Sequence, residues 1–150
     1  MSGVLFVCTG NTCRSPMAEA LLKKRIAGAG EIRGWSRGII GSPVLEVPDE
    51  VRHVLRAMGA DLGPHTSQRL TRADLDEADL VLVMERAHRL TLLRDYPDTA
   101  HKVFQLKAYA GLGETDVEDP IGRAESVYRA AADDIAACLD QVVAKIKEAA

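Results

Sequence analysis

The chain has 150 residues, 47% of them hydrophobic and 27% charged, the balance of one ordinary globular domain spanning residues 1–150, with no room for a second. Its 19 basic and 22 acidic side chains leave a formal net charge of -3, without a basic block or an aromatic-interleaved patch, so the overall electrostatics do not suggest nucleic acid or a membrane surface as partner. No run reaches the roughly 18 apolar residues of a membrane span, and the N-terminus has no basic segment followed by an apolar run. A cytoplasmic protein is expected, and three cysteines, an odd number, make no disulfide framework there, which leaves Cys8 and Cys13 as thiols free for chemistry.

Along the chain, Val4, Leu5, Phe6 and Val7 form a short, wholly apolar run, which predicts a strand buried on both faces of a parallel sheet. From Pro16 the pattern turns helical, with Ala18, Leu21, Leu22 and Ile26 at helix spacing and Gly28 and Gly30 as the stop. A second short strand is expected over residues 32–36. Pro48 then opens a helix with Asp49 and Glu50 in its first turn, Val51, Val54, Leu55 and Met58 on one face, and Gly59 at its end. Residues 80–84, LVLVM, are the clearest buried strand; a short helix over 85–93 precedes Pro97, and residues 102–106 predict a fourth strand. The stretch from there to Asp119 carries the weakest signal. From Glu125 onward, Tyr128, Ala131, Ala132, Ile135, Leu139, Val142 and Ile146 mark a long amphipathic helix that should cover one face of the sheet.

Strands alternating with helices, without internal repeats, predict right-handed βαβ units. The expected fold is α/β: a four-stranded parallel sheet with helices on both faces, a three-layer arrangement of the flavodoxin-like or Rossmann-like kind. Ligands of such sheets sit beyond the carboxyl ends of the strands, where the winding direction reverses, and in the flavodoxin-like order the first strand borders that point. The turn after the first strand is therefore placed for function.

That turn reads Cys8, Thr9, Gly10, Asn11, Thr12, Cys13, Arg14, Ser15: a cysteine and an arginine separated by five residues, followed by a hydroxyl. A loop of this length curling into a helix N-terminus can turn its N–H groups inward as a nest for a tetrahedral dianion, with the helix dipole behind it. Thr9 to Ser15 are the expected phosphate-binding residues, with Gly10 permitting the tight turn and Asn11 suited to a left-handed backbone. Arg14 supplies a planar, bidentate fork for two phosphate oxygens, a geometry lysine does not copy. A cysteine among such donors is expected as the thiolate, ready to attack phosphorus directly. Ser15 is positioned to hydrogen-bond that sulfur and ease its departure from a phosphocysteine.

Two blander readings compete, namely that Cys8 and Cys13 are small core residues or half of a metal site with one of the four histidines. The metal reading lacks a second ligand pair at useful spacing, and the loop has neither the lysine of an ATP-binding loop nor the glycines of a dinucleotide site. Neither a metal nor a cofactor is expected.

Displacing phosphate also needs a proton donor for the leaving group and later a base for water, and the loop contains neither. Asp119 before Pro120 follows an irregular acidic stretch and precedes a helix. Alone, an aspartate before proline reads as a turn or cap residue; together with the cysteine loop it becomes the candidate acid and base. Cys13 is expected to protect an oxidised Cys8 by forming a disulfide with it, so activity lost to peroxide should return on reduction, and irreversible loss would refute this. Cys138, in step with the apolar face of the last helix, reads as a buried structural thiol.

Residues 4–19, VLFVCTGNTCRSPMAE, resemble the N-terminus of the low-molecular-weight protein tyrosine phosphatase family, and Asp119-Pro120 sits where that family has its acid. The resemblance covers most of the chain: Ser36 looks like the family's serine after strand two that braces the loop asparagine, here Asn11, and residues 79–84 look like its third strand. It implies catalytic roles for Cys8, Arg14 and Asp119. One branch, the bacterial protein-arginine phosphatases, carries threonine where tyrosine phosphatases usually have isoleucine or leucine in the loop, and here that residue is Thr12. A threonine hydroxyl suits a hydrolytic water or a polar guanidinium, whereas a bulky apolar residue packs on a phenyl ring. After Asp119-Pro120 the tyrosine phosphatases usually offer aromatic residues, but here Ile121 and Gly122 follow, so the stacking platform is missing; the arginine branch often has one aromatic there too, which leaves the pocket shape around Ile121 open. Trp35 and Arg37 around Ser36 also depart from the usual Ser-Ala-Gly. Glu118 and Asp116 could attract the cationic side of a phosphoarginine peptide or be mere solvation.

The reading is therefore a cysteine-dependent phosphatase, a monomer acting on phosphorylated proteins and specifically on phosphoarginine, with protein-tyrosine phosphatase as the principal alternative. An arsenate reductase would need further cysteines to relay a disulfide outward, and only Cys138 lies downstream of the loop. A non-catalytic phosphate-binding module would typically have lost the nucleophile or the acid.

Overall fold

The computed structural model describes residues 2–27 and 30–149. Strands β1 (Ser2–Cys8), β2 (Ile32–Gly38), β3 (Leu80–Val83) and β4 (Val103–Gln105) form one sheet in the order β2-β1-β3-β4, and every neighbouring pair is parallel. The order reverses at β1, so its carboxyl end, and that of β3 beside it, opens onto the crevice where such sheets bind ligands.

Among the described residues six α-helices accompany the sheet: α1 (Arg14–Arg25), α2 (Asp49–Ala57), α3 (Arg72–Glu77), α4 (Arg86–Asp95), α5 (Leu106–Ala110) and α6 (Glu125–Ala149). Because side chains alternate across a strand, β1 sends Val4 and Phe6 to one face and Leu5 and Val7 to the other. The first face packs with Leu82 against Met17, Leu21 and Leu22 of α1 and Ile135, Leu139 and Val142 of α6. The second packs with Val81, Val83 and Val103 against Leu75 of α3 and Leu92 of α4. Strands buried on both sides carry no polar alternation, which is why their apolar runs were readable in sequence.

The expected strands and long helices are present with shifted ends. α1 begins at Arg14, two residues before Pro16, and stops at Arg25 with Ile26 as its cap, well short of Gly30; Gly28 lies outside the described residues. Pro48 is the N-cap of α2, one place outside the helix it was expected to open. Leu106, expected to end β4, instead starts α5. Three short elements carried no periodic signal: α3, α5 and the 3₁₀ turn Pro97–Lys102. α3 is held by a reciprocal cap, in which Thr71 Oγ1 accepts the Asp74 N–H at 3.2 Å and Asp74 Oδ2 accepts the Thr71 N–H at 3.0 Å.

That aspartate also explains the departures around Ser36. Trp35 Nε1 donates to Asp74 Oδ1 at 3.3 Å, and Arg37 Nε donates to Asp74 Oδ2 at 3.1 Å. The unusual pair thus ties the end of β2 to α3 on the face away from α1, while Ser36 between them points the other way, toward the cysteine loop.

Candidate active site

The strand β1 hands over at Cys8 to the loop that ends where α1 begins. Cys13, the N-cap of α1, makes no side-chain capping bond, and the first turn holds no acidic residue. The orphan N–H groups and positive end of the helix are therefore uncompensated, the condition under which a helix start takes an anion.

Cys8 is only 3% exposed. Its Sγ receives the Asn11 backbone N–H at 3.3 Å and lies 2.9 Å from Ser15 Oγ. Ser15 Oγ accepts from Asn11 Nδ2 at 2.9 Å, and its hydroxyl also reaches the Arg37 carbonyl, to which it donates at 3.4 Å.

Asn11 is the hub of the loop. It is fully buried, and at φ 55 it is the one described non-glycine residue with a left-handed backbone. The tight left-handed turn thus falls at Asn11 and not at Gly10, where a Cβ would make ordinary contacts with Thr12 Oγ1 at 3.7 Å and Leu45 at 3.8 Å. Asn11 Nδ2 also donates to Ser36 Oγ at 3.0 Å, and Ser36 in turn donates to Glu19 Oε1 at 2.7 Å. Asn11 Oδ1 accepts the Gln68 N–H at 3.0 Å, its carbonyl accepts His65 Nε2–H at 2.9 Å, and the Gly10 carbonyl accepts the Ser67 hydroxyl at 2.7 Å. Any of these partners, if removed, leaves a buried polar group unsatisfied at a cost of about 1–3 kcal/mol.

The end of β2 passes directly beneath the loop. A Cβ on Gly38 would stand 2.8 Å from the Asn11 nitrogen and the Thr9 carbonyl oxygen, distances that backbone atoms cannot relieve without moving the loop. Glycine is required there for close approach.

Arg14 is 2% exposed. Its Nη1 donates to Glu85 Oε2 at 2.6 Å and to the Val117 carbonyl at 2.8 Å, while Nη2 lies 3.7 Å from Asp119 Oδ2. Val117 itself is pinned, because its N–H donates to the Met84 carbonyl at 3.0 Å just beyond β3. Two residues later Asp119 reaches the same place, with its side chain 45% exposed and its Oδ1 accepting the Ile121 N–H at 3.1 Å. Nη1 anchored on the protein leaves Nε and Nη2 as the edge offered to a ligand.

Thr9 Oγ1 lies 2.9 Å from His88 Nε2. His88 Nδ1 accepts the Glu85 N–H at 3.1 Å, so it carries no proton; the ring is neutral with its hydrogen on Nε2, donated to Thr9. Burial pushes the His88 imidazole below its usual range, against the pull of the nearby Glu85 carboxylate. Cys13 is likewise buried, and burial pushes its thiol up to about 11, so at neutral pH it stays protonated.

A cavity of about 250 Å³ opens over these groups, lined by Cys8, Thr9, Gly10, Thr12, Cys13 and Arg14 of the loop, by Asp119 and Ile121, and by Ile40, Leu45 and Glu46 of the segment after β2. None of these lining residues is aromatic. A larger cavity of about 440 Å³ at the other end of the sheet, between Ser2, Asp79, Lys102 and Ile146, contains none of the loop. Cys8, Thr9, Gly10, Thr12, Cys13, Arg14, Asp119 and Ile121 thus converge on the cavity, whereas Asn11 and Ser15, both fully buried, do not line it and brace the loop from behind with Ser36. Asp116 and Glu118 do not line the cavity: Asp116 Oδ1 accepts the Arg86 N–H and Gln105 Nε2, both at 2.8 Å, and Glu118 pairs with Arg123. Sequence reasoning missed Glu85, His65, Ser67, Gln68, His88 and Glu46. Only Glu85 carried a usable signal, as a charged residue directly after a buried strand at the carboxyl edge.

Residues 3–150 match the family model for the low molecular weight phosphotyrosine protein phosphatases. The chain is 35% identical over 144 residues to a protein-arginine-phosphatase of Geobacillus stearothermophilus, covering 96% of this chain and 95% of that one. The structure of a low molecular weight protein tyrosine phosphatase from T. tengcongensis superimposes with a TM-score of 0.91 at 37% identity, covering 97% of this chain and 99% of the other. A cysteine-to-serine mutant of the arginine phosphatase YwlE, with a phosphorylated active-site serine, superimposes with a TM-score of 0.90 at 34% identity over 97% of this chain and 95% of its own.

Proposed function

The chain belongs to the low molecular weight phosphotyrosine protein phosphatase family, and from that premise we propose that it hydrolyses phosphoarginine in proteins through a phosphocysteine on Cys8. The observation that carries the proposal is that Cys8, Arg14 and Asp119 line a single cavity over an uncapped helix start.

In the first step the Cys8 thiolate attacks phosphorus and the bond to the leaving nitrogen breaks, with Asp119 giving that nitrogen its proton. Loop amides and the Nε and Nη2 edge of Arg14 hold the three phosphoryl oxygens, whose charge grows in the transition state. In the second step Asp119, now a carboxylate, takes a proton from water as the water attacks the phosphocysteine. Cys8 leaves as a thiolate stabilised by the Ser15 hydroxyl, and inorganic phosphate is released. Cys13 stands beside the nucleophile as the partner for an oxidised Cys8. The phosphorylated serine of the cysteine-to-serine relative supports a phosphoenzyme at this position.

For the substrate, Thr12 in the cavity and aliphatic walls without a ring favour a guanidinium over a phenyl group, and the arginine phosphatase 35% identical over nearly the whole chain points the same way. Hydrolysis of phosphotyrosine is the second reading, favoured by the similarly close structure of a tyrosine phosphatase. The proposal puts the reaction in the cytoplasm; among the described residues no helix is long and apolar enough to cross a membrane.

A panel of phosphoarginine and phosphotyrosine peptides with matched flanks tests the substrate. Wild type should turn over phosphoarginine faster, Thr12→Ile should move the ratio of kcat/KM toward phosphotyrosine by about tenfold or more, and Asp119→Asn should be slow on both. A clear wild-type preference for phosphotyrosine sinks the arginine assignment.

A further inference from the structure

Two carboxylates line the cavity, Asp119 and Glu46. Glu85, near the same end of the sheet, is engaged by Arg14, and Glu118 by Arg123. No hydrogen bond or ion pair of the described residues engages Glu46, which stands exposed beside the aliphatic wall of Ile40 and Leu45. An unpaired carboxylate in the wall of a phosphate site is unfavourable toward the anion itself, so its use must lie with another part of the substrate.

We propose that Glu46 is a specificity-determining residue, whose carboxylate accepts the N–H groups of the guanidinium that carries the phosphoryl group; this rests on the phosphoarginine reading above. With phosphorus pinned by Arg14 and the loop, the planar guanidinium of the substrate lies further out along the cavity wall, with donors along its edge. A carboxylate is the matching acceptor for such an edge, and the bond is charge-assisted. The substrate also covers Glu46 from water as it binds, which strengthens the attraction relative to the free enzyme.

The same group works against an aryl phosphate. A phenyl ring in that place has no donor and would cover the carboxylate with carbon, stripping its water without a replacement bond. One residue therefore attracts the guanidinium and penalises the ring, which is how discrimination between similar ligands is obtained.

The test measures kcat and KM of wild type, Glu46→Gln and Glu46→Asp on matched phosphoarginine and phosphotyrosine peptides. Glu46→Gln keeps the shape and removes the charge; the ratio of kcat/KM, phosphoarginine over phosphotyrosine, should fall about tenfold, the scale of one charge-assisted bond. The fall should come through a raised KM for phosphoarginine, and Glu46→Asp should recover part of it. If wild type prefers phosphoarginine and the ratio survives Glu46→Gln, the assignment of Glu46 is wrong while the substrate reading stands. If wild type itself prefers phosphotyrosine, the substrate reading fails and this inference goes with it.

Discussion

Cys8→Ser is expected to lower kcat by about four orders of magnitude or more, the scale on which losing a nucleophile acts, while leaving the thermal midpoint within a few degrees of wild type. The two side chains are nearly isosteric, and a hydroxyl accepts the Asn11 N–H and meets Ser15 Oγ as the sulfur does. The fold therefore has little to lose. The chemistry loses twice, because an alcohol is a far weaker nucleophile than sulfur and because the serine alkoxide is a poor leaving group when water attacks the phosphoserine. Slow phosphorylation followed by slower hydrolysis predicts that the variant accumulates covalent phosphate at position 8, visible by intact-protein mass spectrometry. Turnover within tenfold of wild type would exclude a covalent role for this position.

Arg14→Lys should be the next most damaging change, with kcat/KM reduced about a thousandfold, of the order found on removing donors aimed at transition-state charge. The native guanidinium does three things at once, holding Glu85 and the Val117 carbonyl through Nη1 while offering Nε and Nη2 to the cavity. An ammonium is a single point donor. Drawn by Glu85 at 2.6 Å in the native pair, it turns away from the phosphate and also releases the Val117 carbonyl of the loop that carries Asp119. Stability should fall only modestly, by about 1–2 kcal/mol, because the charge opposite Glu85 is kept. Arg14→Met, which leaves that carboxylate without a partner, should cost about 3 kcal/mol or more. Comparing the two variants by thermal unfolding and by kcat/KM separates the fork geometry from the charge: activity lost equally with stability lost unequally is the expected pattern. Near-native activity in Arg14→Lys would mean the fork has no part in catalysis.

How far the sequence could be read depended on whether a feature is local. Cys8, Arg14 and Ser15 lie within eight consecutive residues, and their spacing alone implied the cradle; the left-handed Asn11 and the sulfur contact of Ser15 followed from the same short stretch. β1 and β3 were legible because strands buried on both faces are unbroken apolar runs, unlike β2 with its Arg33, Ser36 and Arg37, and α6 because its 25 residues give periodicity room to appear. α3 and α5, at six and five residues, are shorter than two helical turns, so no stripe can form; the capping pattern of Thr71 and Asp74 was the only mark α3 left. The braces of the loop were out of reach for another reason. His65, Ser67 and Gln68 carry no motif, and their contacts with Gly10 and Asn11 span 54 to 57 residues. Glu46 is a single acid in an irregular segment, and only the folded shape of the 39–48 region brings it to the cavity wall.

Those distant braces have a bearing on what the chain can do before it is complete. The cradle is closed by residues 65–68, by the end of β2, and by Val117 through Arg14, so three separate returns of the backbone must be made before the sulfur is properly housed. A nascent or half-collapsed chain holds all eight residues of the motif yet has no functioning phosphate trap. Under the proposed mechanism, its cysteine lacks the Asn11 brace and the Arg14 fork until the last of these segments docks.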